Sequence, residues 1–311
     1  MLTRRHALSL LAGTLALTAL PGSGQAQTGG KLDVVATFSI LGDLVKEVGG
    51  ERVSVTTLVG PNGDAHVYAP SPADARRLVD AKVVFVNGLR FEGWIDRLIA
   101  SSGTKAAVVE AAKGITPVKG EEEGHDHGSD HGHDHGGLDP HAWQNVANAK
   151  VYANNIRDAL TAADPAGKGA YEAQAVAYLA QLDALDAEIK AIVARIPKER
   201  RRIITSHDAF RYFQEAYGIV FVAPQGVSTD AEASAKDVAK IIRQIRREKV
   251  KAIFVENVSD PRLMERIAQE TGARIGERVF SDALSGPEGP AGTYIEMMRH
   301  NIRAFSTALS S

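Results

Sequence analysis

One long periodic segment, YEAQAVAYLAQLDALDAEIKAIVARI, constrains this chain more than any other feature. Leu179, Leu182, Leu185, Ile189, Ile192 and Ile196 recur at three- and four-residue intervals, so the stretch from about Ala170 to Ile196 reads as a single amphipathic helix closed by Pro197. On its N-terminal side, LDVVATF (32–38), VSVTTLV (53–59) and AKVVFVNG (81–88) are short β-branched strands. They alternate with the helical patterns SILGDLVKEVGG and SPADARRLVD, and Pro72 takes a helix position where its missing N–H costs nothing. On the C-terminal side the alternation resumes. RRIITS (201–206) leads into DAFRYFQEAYG, and KAIFVEN (251–257) leads into DPRLMERIAQETG. Strand–helix alternation predicts mostly parallel sheets covered on both faces. The predicted architecture is therefore two mostly parallel-sheet α/β domains, residues 27–165 and 198–311, joined by one long rigid helix over 166–197.

The first 26 residues read differently. Arg4 and Arg5 precede an apolar run to about Leu20, and small residues follow up to Ala26. This is the pattern of a secretory signal, and the uncharged run is short for a bilayer span and is broken by Pro21. The Arg pair admits either general or twin-arginine export. The 26 residues hold two arginines and no acid, so the remainder carries 34 basic and 38 acidic residues. That scattered, near-balanced charge gives no footing for a nucleic-acid partner. The 311 residues contain no cysteine, which excludes disulfides, thiolate metal sites and a lipid-modified cysteine after the signal. The expected product is soluble and periplasmic.

Residues 113–139 hold no credible helix or strand, and within them GHDHGSDHGHDHG (124–136) packs five histidines and three aspartates into thirteen positions. Glycine and charge make this an exposed loop. Its imidazoles can chelate divalent ions, but each binding event must order the backbone, so weak, exchanging sites are expected over 121–136. Helix resumes at about His141 and runs towards Leu160.

Four stretches share one structural context. GDAHVYAPSP places His66 after strand 53–59, LDPHAWQN places His141 at a helix start, ITSHDAF places His207 after strand 201–206, and VFSDALSG places Asp282 after the strand-like ERVF. Ligands of open α/β sheets gather beyond the carboxyl ends of strands. Two candidates fall in each domain, so an interdomain cleft can bring all four onto one ion, and three imidazoles with one carboxylate make a plausible tetrahedral Zn²⁺ set. Each histidine alone reads more readily as a surface or supporting group than as a ligand, and Asp282 as a turn or cap. Asp64, Asp139 and Asp208 each lie within two residues of a candidate, and Glu256 follows a strand; a carboxylate in such a place can take the second N–H of a metal-bound histidine. Trp143 reads as packing. No HExxH, phosphate loop or nucleotide fingerprint competes.

The stretches GDAHVYAPSP, VVFVNGLRFEGW, LDPHAWQN, TSHDAFRYFQEAYG, APQGVSTDAEAS, IFVENVSD and SDALSGPEGPAGTYIEMMRHNI together resemble the periplasmic metal-binding receptors of zinc and manganese ABC importers, the cluster with a long connecting helix. The resemblance covers nearly all of the chain after residue 26 and places the family's four ligands on His66, His141, His207 and Asp282. Manganese-type members usually carry Glu where this chain has His207, which implies a shift towards zinc. The family's first motif commonly reads DPH followed by Glu-Pro; Asp64-Ala65-His66 and Ala69-Pro70 depart from it, and Ala65 removes a conformational lock before the ligand.

The resemblance implies a binding protein and not an enzyme. It captures Zn²⁺ in the interdomain cleft, as a monomer, and hands it to an inner-membrane ABC permease, with the His-rich loop as an accessory that can also receive metal from a loading chaperone. The long helix predicts release by local loop movement rather than wide hinge opening. Three readings compete: a manganese receptor of the same fold, a zinc hydrolase with three ligands and water, and an adhesin or metal buffer without a permease.

Overall fold

The computed structural model describes residues 30–119 and 137–310; the leader and the His-rich segment named above lie outside the described residues. The first lobe runs β1 (Leu32–Phe38), α1 (Ser39–Gly49), β2 (Val53–Val59), α2 (Pro72–Asp80), β3 (Val83–Val86), α3 (Ile95–Ser102) and β4 (Ala107–Glu110). Two helices follow, α4 (Val146–Ala163) and α5 (Lys168–Ala194). The second lobe runs β5 (Arg202–Ile204), α6 (Arg211–Tyr217), β6 (Val220–Val222), α7 (Ala235–Glu248), β7 (Ala252–Ile253), α8 (Arg262–Thr271), β8 (Arg274–Ile275) and α9 (Tyr294–Ser310).

Each lobe holds a four-stranded sheet, ordered β2-β1-β3-β4 and β6-β5-β7-β8, and every pairing is parallel. The order reverses between β1 and β3 in one lobe and between β5 and β7 in the other. Those are the switch points where loops diverge and leave a crevice at the carboxyl ends of the strands. Buried on both faces, β1 and β3 are the near-continuous runs of Val and Phe that central parallel strands require. Helix α2 starts with a full capping box, Ser71 with Asp74, and Pro72 occupies its first turn.

Helix α5 is 27 residues long, roughly 40 Å at 1.5 Å per residue. Tyr171, Ala175, Tyr178, Leu182, Leu185, Ile189 and Val193 form its buried stripe, packed against α1, α4 and α9. One hydrophobic core continues through both lobes, from Val34 and Phe85 through Trp143 and Leu182 to Phe213 and Phe305. A separate small cluster of Ile241, Ile245, Ile253, Met264 and Ile267 fills the outer side of the second lobe. Shared core, not a thin linker, joins the lobes.

Three local expectations change. The helix predicted from His141 begins later: a short turn over Ala142–Gln144 comes first, and α4 starts after Asn145, whose side chain accepts the Ala147 N–H as a cap. The strands of the second lobe are shorter than their hydrophobic runs, because β5 meets β7 only at Ile204 and Ile253. Beyond that pair the two segments, still joined by the Glu256 N–H to the Ser206 hydroxyl, lead into the buried His207 and Glu256. ERVF forms no strand; Val279 makes only an isolated bridge to Glu256.

Candidate metal centre

The four candidate residues converge at the interface of the lobes. One donor atom from each of His66, His141, His207 and Asp282 lies within 4.8 Å of all the others. His66 Nε2 is 3.3 Å from both His141 Nε2 and Asp282 Oδ2. His207 Nε2 lies 3.1 Å from Asp282 Oδ2, and His141 Nε2 lies 3.5 Å from Asp282 Oδ1. Bonds of about 2.0–2.1 Å in a tetrahedron put donors roughly 3.3 Å apart, so these edges suit a single ion. His141, His207 and Asp282 are fully buried and His66 is almost so, 5% of its side chain being exposed. Both Asp282 oxygens and His207 Nε2 have no hydrogen-bond partner. Buried polar atoms left so are costly unless something else, here a cation, satisfies them.

Each ligand candidate is held from behind. His141 Nδ1 lies 2.7 Å from Asp139 Oδ1, which also accepts the His141 backbone N–H at 2.9 Å. His207 Nδ1 lies 2.5 Å from Glu256 Oε2, and the other Glu256 oxygen accepts the His207 N–H at 2.9 Å. In both rings Nδ1 faces a carboxylate and Nε2 faces the centre. Asp64 acts differently: one oxygen accepts the His66 backbone N–H at 2.9 Å and the other the Thr229 hydroxyl at 2.6 Å, so it tethers the His66 loop to the second lobe. Asp208 does not join the centre; its carboxylate engages Arg211 Nε at 2.7 Å. Ala65 does not leave its loop slack, because its carbonyl accepts Trp94 Nε1 at 2.8 Å.

Trp143 does more than pack. Its indole N–H and the Gln144 amide both donate at 2.9 Å to the Ser281 carbonyl, next to Asp282, so the residues after His141 clasp the segment that carries the carboxylate. Tyr212 and Tyr294 add bonds to the Asp139 and Trp143 carbonyls at 2.9 and 2.7 Å.

Charge and burial compete here. Burial lowers the basicity of His141, but Asp282 and Asp139 outweigh it and lift the imidazole pKa to about 9. Burial likewise opposes the charged form of His207, and Glu256 and Asp282 raise it well above the ordinary histidine value. Burial disfavours ionised Asp282, yet His207 and His141 hold it well below the usual carboxylate range. In this dry pocket the buried carboxylates hold His141 and His207 protonated at neutral pH, so a cation binds by displacing those protons.

One group escaped the sequence reading. Glu92 is buried in the turn after β3, where burial pushes its pKa up to about 7 while the Asn87 N–H and Thr37 hydroxyl pull it down. The stretch NGLRFEGW was visible, but nothing in it separates a buried hub from a surface turn.

The family model described as zinc-uptake complex component A, periplasmic, matches residues 34–308. A manganese-binding lipoprotein, MntA, of Halalkalibacterium halodurans is 36% identical over 288 residues, covering 93% of this chain and 92% of that protein. The manganese ABC transporter substrate-binding lipoprotein PsaA of Streptococcus pneumoniae is 30% identical over 309 residues, 97% of this chain and 96% of that protein. Among solved structures, the periplasmic zinc-binding protein TroA of Treponema pallidum superposes with a TM-score of 0.81 at 30% identity, covering 90% of this chain and 99% of that one. A manganese-bound periplasmic metal-binding protein of Candidatus Liberibacter asiaticus gives 0.79 at 29% identity, with 90% and 100% covered. Unlike the relatives called lipoproteins, this chain has no cysteine to carry a lipid. With two parallel lobes, a long connecting helix and a buried three-histidine, one-carboxylate cluster between them, the chain belongs to the zinc-uptake component A family, the periplasmic solute-binding receptors of metal ABC importers.

Proposed function

We propose that the metal captured is Zn²⁺, and that His66, His141, His207 and Asp282 are its four ligands. The observation that carries this reading is the donor set: three imidazoles and one carboxylate, with four of the donor separations at 3.1–3.5 Å, suit a four-coordinate borderline ion. Manganese prefers oxygen donors and more of them. His207 is the discriminating position, since a carboxylate there would give two oxygens and two nitrogens. A manganese receptor is the second reading, favoured by the names of relatives such as MntA and PsaA.

The work is reversible capture without bond chemistry. The receptor binds the ion between its lobes, presents it to the permease and lets it go when a ligand moves. The continuous core argues for movement of a ligand loop, not rotation of whole lobes. His66 is the ligand nearest solvent and stands on a loop, so it is the one to leave first. Residues 121–136 act as a weak collecting segment, open to a loading chaperone, and the receptor works as a monomer. His207→Glu tests the metal assignment: zinc affinity should fall and the zinc-over-manganese ratio should shrink. A ratio that stays constant or grows would remove His207 as the selectivity determinant.

A further inference from the structure

The turn that follows β3, Asn87–Trp94, touches both histidines of the first lobe from behind. It begins with three successive residues in the left-handed region, Gly88 (φ 84°), Leu89 (φ 53°) and Arg90 (φ 62°). Two of these are not glycine, a backbone arrangement that persists only when its surroundings over-determine it. Here they do. Glu92 Oε1, buried, accepts the Asn87 N–H at 2.7 Å and the Thr37 hydroxyl at 2.5 Å, closing the turn on itself and on the end of β1.

Two arms leave the closed turn. On one, Trp94 Nε1 donates at 2.8 Å to the carbonyl of Ala65, the residue before His66. On the other, the Asn87 side-chain amide donates at 2.9 Å to the carbonyl of Pro140, the residue before His141, and its oxygen is fixed by the Tyr152 hydroxyl at 2.5 Å. Between the arms the Phe91 ring stands edge-on to His66 at 4.7 Å and 5.9 Å from His141, backed by Phe38 and Trp143, both at 4.9 Å. None of these groups is within the ligand set, and all are buried.

We propose that the Asn87–Trp94 turn is a yoke that sets the distance between the His66 and His141 imidazoles, with Trp94 and Asn87 as positioning residues, and that this fixed distance favours a four-coordinate ion over one that needs a wider shell. The selectivity half of the proposal rests on the zinc reading above; the coupling half does not. A ligand pair tied through one rigid turn cannot spread to admit extra donors without breaking the Trp94 or the Asn87 bond. Both bonds are buried, and water does not readily replace them.

The test uses the exported chain, residues 27–311, carrying Trp94→Phe, Asn87→Ala or both. Zinc and manganese affinities are measured by chelator competition, and the coordination of a bound cobalt(II) probe is read by visible absorption, which is strong for tetrahedral and weak for octahedral sites. Each single variant should weaken zinc by about tenfold or more, the loss typical of groups that orient metal ligands. Manganese should change less, and the cobalt bands should weaken. The double variant should cost less than the product of the singles, because releasing one arm already frees the spacing. Equal losses for both metals with an unchanged cobalt spectrum, or strictly multiplicative losses, would overturn the yoke. Should Asn87→Ala not fold, Tyr152→Phe removes the bond that fixes the same arm and takes its place. Wild-type protein that prefers manganese would refute the zinc reading and the selectivity half with it; the double-variant cycle read with manganese would still decide the coupling.

Discussion

Replacing Glu256 with Gln isolates the role of one buried carboxylate. Glu256 presents two oxygens to His207, one accepting its backbone N–H at 2.9 Å and one 2.5 Å from Nδ1. A glutamine can keep its oxygen on the backbone N–H, but its NH₂ then faces Nδ1. That nitrogen must become the acceptor, so the ring proton moves to Nε2, the atom facing Asp282 and the ion. Turning the amide round restores the tautomer and orphans the buried backbone N–H instead. Either way binding meets a penalty that the native carboxylate avoids. Orienting partners of metal-bound histidines are worth about 10–100-fold in affinity, or roughly 1.4–2.7 kcal/mol. Chelator competition with zinc on E256Q and the parent protein gives the number directly. Asp208→Asn is the matched control: Asp208 lies next to His207 in sequence, but its carboxylate engages Arg211, so its affinity should stay within about twofold. An E256Q protein that binds zinc as tightly as D208N would refute the argument that Glu256 sets the tautomer.

Other consequences follow from the same geometry. Burial, with Glu47 and Glu296 nearby, pushes Asp43 up to about 7, so the native state keeps a proton that the unfolded chain has already lost above pH 4. Stability should therefore fall as pH rises from about 4 to 7; Asp43→Asn, which still accepts the Tyr294 N–H, should gain up to about 4 kcal/mol at pH 8 and nothing near pH 3.5, measured by denaturant titration. With His141 lifted to about 9, the metal-free protein holds that imidazole proton at neutral pH, and the ion must displace it. Zinc affinity should rise from pH 6 towards 9, with protons released in calorimetry across buffers of different ionisation enthalpy; a flat profile would contradict the site. Leu185→Ala, in the buried stripe of α5, should cost about 2–5 kcal/mol of stability while leaving zinc affinity nearly unchanged.

How much of this was legible in the sequence depends on whether a feature repeats. β1, β2 and α5 could be read because each is a run of apolar residues at one period, and the structure puts them at Leu32–Phe38, Val53–Val59 and Lys168–Ala194. The strands of the second lobe were overestimated, since RRIITS and KAIFVEN run on past the last paired residues, Ile204 and Ile253, into the buried polar Thr205, Ser206 and Glu256. β4 passed unnoticed: Ala107–Glu110 is a mostly exposed edge with little pattern. The four donors were legible because each follows a strand or strand-like run and the motifs around them are distinctive. Whether a neighbouring acid supports a ligand was not, as the contrast of Asp139 with Asp208 shows: both lie within two residues of a histidine, and only the backbone path decides which faces it. Glu92 and Asn87 were invisible for a related reason. Their partners, Thr37, Tyr152 and Pro140, are brought to them by the fold and lie 53 to 65 residues away in sequence.

The central claim is that a four-donor site between the lobes captures zinc in preference to manganese. Its most direct test is chelator-competition titration of metal-free residues 27–311 with each ion, repeated on a chain lacking 121–136 and on one carrying Asp282→Ala. The account predicts one tight zinc site per chain that survives the deletion, is lost with Asp282→Ala, and binds manganese far more weakly. Tight zinc binding that disappears with the His-rich segment, or manganese bound as tightly as zinc, would contradict it.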